Sequence, residues 1–152
     1  MIEHNDAHWM NLALEEARKA AFLGEVPVGA VLVHHNTLLA QAHNTRETTQ
    51  QISGHAEIKV LEKAGEGIQS WRLPETTLYV TVEPCLMCVG AILQARVRRV
   101  VFGVREPKSG SLVSNLQLLK IPNTPKVEIT EGILSSECRS LMKSFFGVQR
   151  ES

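Results

Sequence analysis

His55-Ala56-Glu57 and Pro84-Cys85-Leu86-Met87-Cys88 carry the side chains of this chain best suited to chemistry. Two residues separate Cys85 from Cys88, a spacing that lets two thiolates hold one ion when the second opens a helix. With His55 they make three protein ligands. A closed structural zinc site takes four, so three leave a position open for water. Glu57, two residues from the histidine, is a carboxylate free to exchange protons with that water. Zinc lowers the pKa of such a water from about 15.7 toward about 7. The set reads as a hydrolytic zinc site in which Glu57 moves a proton from water to a leaving group.

Either half alone would say less. A Cys-x-x-Cys pair is also the mark of redox and structural sites, and a lone His-x-Glu on a helix is commonly chance. Cys138 lies among Leu134, Leu141 and Met142, and is expected to be a packed thiol rather than a fourth ligand.

The elements that must position these residues follow from spacing and punctuation. A helix is expected from Trp9 to Leu23, capped by Asn5 or Asp6 and stopped at Gly24, with Trp9, Ala13, Ala17 and Ala20 on its core face. Val28–Val33 and Leu38–Ala42 read as a hairpin around His34-His35-Asn36-Thr37. Asn44–Ser53 reads as a loop and His55–Ala64 as a helix. Then follow a strand over Thr77–Val82, halted by Glu83-Pro84, a helix over Leu86–Gln94 and a strand over Val97–Val104. Glu106–Ser111 is expected to be a loop, Leu112–Lys120 a short helix, Lys126–Thr130 a fifth strand, and Ser135 or Ser136 the cap of a last helix through Phe146. This order predicts an α/β fold, a three-layer α/β/α sandwich around a five-stranded mixed sheet. Both ligand groups fall at predicted helix N-termini, where free N–H groups and partial positive charge favour thiolate over thiol.

With 152 residues, the chain is expected to form one domain over 1–152. Sixteen basic residues balance sixteen acidic ones, so net charge gives no nucleic-acid footprint, although a local basic patch remains open. No cationic-then-apolar leader pattern and no stretch of membrane-spanning length is visible, so no membrane partner is expected. Three cysteines, two in a metal-type pair, suit a reducing cytoplasm better than a disulfide scaffold.

His55-Ala56-Glu57 with Pro84-Cys85-Leu86-Met87-Cys88 is similar to the zinc deaminase signature. The likeness extends through Glu25-Val26-Pro27-Val28-Gly29-Ala30-Val31, Ala42-His43-Asn44, Leu78-Tyr79-Val80-Thr81, Val100-Val101-Phe102-Gly103 and Val127–Leu134. Over nearly its full length the chain resembles the bacterial-type tRNA-specific adenosine deaminases. That resemblance implies a cytidine deaminase-like fold, one Zn2+ per chain on His55, Cys85 and Cys88, and Glu57 as proton shuttle. The implied reaction turns adenosine into inosine at the wobble position of a tRNA anticodon by attack of zinc-bound hydroxide on carbon 6.

The resemblance further implies substrate contacts. Asn44 matches an asparagine that hydrogen-bonds the target nucleotide, although as a residue it also suits a turn closing the second strand. Pro27 and Val28 would shape the base pocket, and core packing explains Val28 equally well. The amides of Ala56 and Cys85 could meet the substrate or the reacting water. Glu106 stands where the family commonly has aspartate or asparagine against ribose, and Gly54, where alanine is usual, is expected to loosen the loop before His55. The Ser109–Asn115 loop also differs from the family's Gly/Ala-rich version. Arg46, Arg96, Arg98, Arg99, Arg105, Lys108, Lys143 and Arg150 are available for phosphates of an anticodon stem-loop. A homodimer is implied, with Leu86–Leu93 as a possible interface. A deaminase of a free purine such as guanine is the alternative, and a non-catalytic zinc-stabilised interaction module is the third reading.

Overall fold

A computed structural model describes the backbone of residues 2–151 and the side chains of residues 2–147. Arg150, one of the cations expected to meet phosphate, lies outside the described side chains.

Asn5 caps the first helix, α1 (Asp6–Phe22), by accepting the His8 amide at 2.9 Å. Strands β1 (Gly29–His34) and β2 (Thr37–His43) form the hairpin, turning at His35 and Asn36 with φ of 45° and 62°. Two positive φ angles are what a tight turn between right-twisted strands needs. The other elements are α2 (Arg46–Thr49), α3 (Ala56–Ile68), β3 (Thr76–Val82), α4 (Leu86–Ala95), β4 (Arg99–Val104), β5 (Glu128–Glu131) and α5 (Ser135–Glu151).

The sheet runs β2-β1-β3-β4-β5, antiparallel from β2 to β3 and parallel from β3 to β5. The expected mixed sheet of five strands is therefore present. Alternation along each strand splits the core in two. Ala30, Leu32, Leu78, Val80, Val100 and Phe102 pack against Val60 and Ala64 of α3 and Val89 and Ile92 of α4. Val31, Val33, Tyr79 and Val101 face Trp9, Met10, Ala13 and Leu14 of α1 and Cys138 of α5. The result is helix layers on both faces, with α3 and α4 together on the face that carries the metal-type ligands.

Three expectations need correction. The Asn44–Ser53 loop contains a turn of helix, α2, because the Glu25 carboxylate accepts from the amides of Glu47 and Thr48 and from the Thr48 hydroxyl. The Leu112–Lys120 segment is not an α-helix; only Leu118–Lys120 forms a 3-10 turn. Its amides at Asn115, Leu116 and Leu118 return to the carbonyls of Gly110, Gly110 and Ser111 rather than to carbonyls four residues back, so no helical ladder forms. Those at Leu112, Val113 and Ser114 converge on one Glu83 oxygen at 3.1, 2.8 and 3.0 Å. The fourth strand starts at Arg99 rather than Val97, because Arg96 takes φ 66° and the Val97 amide returns to the Ile92 carbonyl to close α4. No described helix is long and apolar enough to cross a membrane.

Candidate metal centre and its cavity

The two ligand groups arrive as the topology requires. His55 is the N-cap of α3 and Cys85 the N-cap of α4, both with extended backbone, so their side chains lie beside free helix N-termini on one face of the sheet. Cys88 follows one turn into α4 and is fully buried. His55 Nδ1 sits 3.6 Å from Cys85 Sγ and 3.4 Å from Cys88 Sγ. Zn–N and Zn–S bonds of about 2.1 and 2.3 Å at a tetrahedral angle put those atoms about 3.6 Å apart, so the three residues fit a tetrahedral ion. Among the described residues no fourth protein ligand joins them. Cys138 is buried on the opposite face of the sheet, where burial pushes its thiol up to about 12; it is a packing residue. Of the paired thiols Cys85 is the acidic one. Its hydrogen bonds with Cys88, then with His55, hold it at about 3 despite burial, and the same contact pushes Cys88 upward.

A cavity of about 440 Å³ opens onto this group. Val28, Asn44, Glu57 and Glu106 line it together with His55 and Cys85, so six of the eight expected site residues share one wall system. Glu57 is 4% exposed, and burial raises its carboxyl to about 7. A cation on the neighbouring ligands would oppose that rise.

Asn44 is buried, and its Oδ1 accepts the Ala56 amide at 2.8 Å. The first amide of α3 is therefore engaged inside the chain, whereas no described residue accepts from Asn44 Nδ2. The donor that faces the cavity at this point is the asparagine side chain rather than Ala56. Pro27 is buried away from the cavity walls. Glu106 reaches the rim, where its Oε1 accepts the Lys108 amide at 3.0 Å. Gly54 does not loosen its loop. The Thr45 amide donates to the Gly54 carbonyl at 2.8 Å, and a Cβ on Gly54 would come within 2.7 Å of the Arg46 nitrogen. Glycine is there for close approach, and the loop is tightened by it.

Four features of the site were not read from the sequence. Buried Glu25 holds α2 at the rim. Glu83, 3% exposed, collects the amides of Glu106, Leu112, Val113 and Ser114 and the Ser114 hydroxyl. Met142 and Phe145 of α5 complete the cavity. Beside it lies a second hollow of about 770 Å³, bordered by Arg105, Lys108, Arg139 and Lys143. Arg139 was missed, and its four-residue spacing from Lys143 on one helix face was the available signal. Of the expected cations, Arg99 is withdrawn into a two-pronged contact with Asp6 at 3.0 and 2.7 Å and Arg105 pairs with Glu131.

The profile of the MafB19-like deaminases matches residues 4–148. The tRNA-specific adenosine deaminase of Bacillus subtilis is 44% identical over 93% of this chain and 88% of its own. A solved structure from work on A-to-I editing by tRNA:A34 deaminases is 39% identical, superposes with a TM-score of 0.86, and is matched over 88% of this chain and 98% of that one. The guanine deaminase of Nitrosomonas europaea superposes at 0.83 over 97% of this chain and 87% of its own, but at 20% identity, which is a likeness of fold alone.

Proposed function

The chain belongs to the MafB19-like deaminase family, among the relatives of bacterial tRNA-specific adenosine deaminases, and from that premise we propose that it deaminates adenosine to inosine at the wobble position of a tRNA anticodon. The observation that carries the reading is the joint arrangement of three ligand atoms and buried Glu57 in one cavity, within a chain 44% identical to such an enzyme.

His55, Cys85 and Cys88 would hold Zn2+. When bound, zinc supplies Lewis acidity that makes water acidic enough to attack at neutral pH. Glu57 accepts one proton from the attacking water and passes it to N1 of the purine, then carries the remaining proton of the added oxygen to the amino nitrogen on carbon 6, so that water and adenosine become inosine and ammonia. Burial raises its carboxyl while a cation on the neighbouring ligands would lower it, and these opposed influences suit a group that takes up and gives back a proton. Asn44 Nδ2 donates to the bound nucleotide while Oδ1 stays on Ala56, so the residue that contacts substrate also fixes the helix carrying Glu57.

An unstacked base in an anticodon loop can enter such a cavity at little cost. The half-buried Phe145 ring at the cavity offers it a stacking surface, and Lys108, Arg139 and Lys143 offer phosphate contacts nearby. A homodimer fits the outer side of α4. Only Cys88, Val89, Ile92 and Ala95 are buried there, leaving Leu86 exposed and Met87, Ala91 and Leu93 half-buried. A cytoplasmic enzyme acting as one domain is consistent with this substrate.

The test incubates the metal-loaded protein with an anticodon stem-loop bearing wobble adenosine and, separately, with free adenosine, cytidine and guanine. Inosine should form in the RNA alone. Turnover of a free base only would instead favour the purine-deaminase reading, and metal binding without any product would favour an interaction module.

A further inference from the structure

We propose that His34, His35 and Glu75 form a second metal site, at the end of the sheet opposite the catalytic cavity, for a borderline divalent ion such as Ni2+, Cu2+ or Zn2+. Strand pairing builds it. His34 is paired with Thr76 in the antiparallel β1–β3 ladder, so one step past the strand ends His35 comes opposite Glu75. Both of those residues leave strand geometry with positive φ, 45° and 58°. Consecutive side chains of a strand point to opposite faces, but this turn brings the two imidazoles together, with ring centroids 4.2 Å apart. His35 Nε2 lies 2.8 Å from Glu75 Oε2, and one ligand atom from each residue falls within 4.8 Å of the other two.

Two imidazoles and one carboxylate select borderline transition metals over Mg2+ or Ca2+, which prefer sets of oxygen ligands. His35 and Glu75 are exposed, so an ion can enter from solvent and complete its coordination with water. The catalytic cavity is distant. β1 begins at Gly29, next to the cavity residue Val28, and reaches His34 only after a strand of roughly 17 Å. An ion here would clip the β1–β2 turn to the segment before β3. The same turn already ties down the chain start, since Asn36 accepts the His4 amide at 2.9 Å and donates to the Ile2 carbonyl at 2.6 Å. The ion therefore acts on stability rather than on turnover.

The rival ligands nearby are His4 and His8, whose rings stack at 3.8 Å. The test titrates protein carrying its resident metal with Ni2+, counts nickel and zinc by native mass spectrometry, and follows the melting temperature. One Ni2+ per chain should bind beyond the resident ion and raise the melting temperature. His35→Ala and Glu75→Gln should each lose that nickel and the thermal shift while keeping wild-type deaminase rates, and His8→Ala should keep all three. No additional nickel in the wild type, its retention in either the His35 or the Glu75 variant, or its loss in His8→Ala would overturn the site.

Discussion

The floor and the rim of the cavity are built by different means. The floor consists of His55, Glu57, Cys85 and Cys88 at two helix N-termini, each set by a few consecutive residues. The rim consists of two connecting segments, 44–54 with its single turn of helix and 106–114, each fastened to one buried carboxylate, Glu25 or Glu83. On the proposed function the floor side chains do the chemistry, whereas the rim carboxylates hold backbone. The division teaches that changes to the floor should alter rate, and changes to the rim should alter binding and stability.

Glu57→Ala should divide the two most sharply. Turnover should fall by at least about 10²–10⁴-fold, with metal content by mass spectrometry and melting temperature near wild type. A variant that stays active would break the comparison at its floor.

Glu83→Ala comes next. It strands four amides and a hydroxyl around a buried site, and unpaired buried donors cost about 1–3 kcal/mol each when they cannot reach water. Partial rehydration leaves an expected loss of about 2–4 kcal/mol in denaturant unfolding. KM for the RNA stem-loop should rise with a smaller change in kcat. A fall in kcat at unchanged KM would place Glu83 on the floor.

Gly54→Ala tests the tightness of the other rim segment. Its Cβ would meet the Arg46 backbone, and such overpacking typically costs about 1–3 kcal/mol. A neutral or stabilised variant would show that the segment yields freely.

The smallest effect is expected outside both regions. The Arg99 guanidinium holds the Asp6 carboxyl below its usual 3.8, aided by the Tyr79 hydroxyl at 2.7 Å. A lowered folded-state pKa contributes stability that is complete above the unfolded value and is lost as pH falls through the folded one. Asp6→Asn should therefore cost about 1 kcal/mol at neutral pH, and the gap to wild type should close only below pH 3.8. A gap that stays constant to lower pH would mean that Asp6 acts by packing alone.

The same division explains what was legible in the sequence. The metal ligands are adjacent to helix starts, and helix starts have local signals, so His55 and the cysteine pair could be placed without tertiary information. The sheet was legible for a similar reason, through β-branched runs such as Thr76–Val82. Glu83 was not. It reads as a strand stop before Pro84, and its partners lie 23 to 31 residues downstream, beyond any periodic pattern. Leu112–Lys120 misled because its apolar spacing suits a helix, while its amides at Asn115, Leu116 and Leu118 fold back onto Gly110 and Ser111 in wider turns. Arg99 offered itself as a phosphate ligand until Asp6, 93 positions away, proved to hold it.

Glu83 binds its loop almost wholly through main-chain hydrogens, and those are the same for every residue except proline. A loop anchored in this way keeps its shape while its side chains change, provided that Gly110 leaves room for the carboxylate and Ser114 keeps its hydroxyl. The cavity wall that this loop forms is thus an adaptable surface on a fixed frame. The exposed Ser109 side chain lines the cavity and takes no part in the Glu83 contacts, so a change there can alter what the cavity accepts while the frame stays in place.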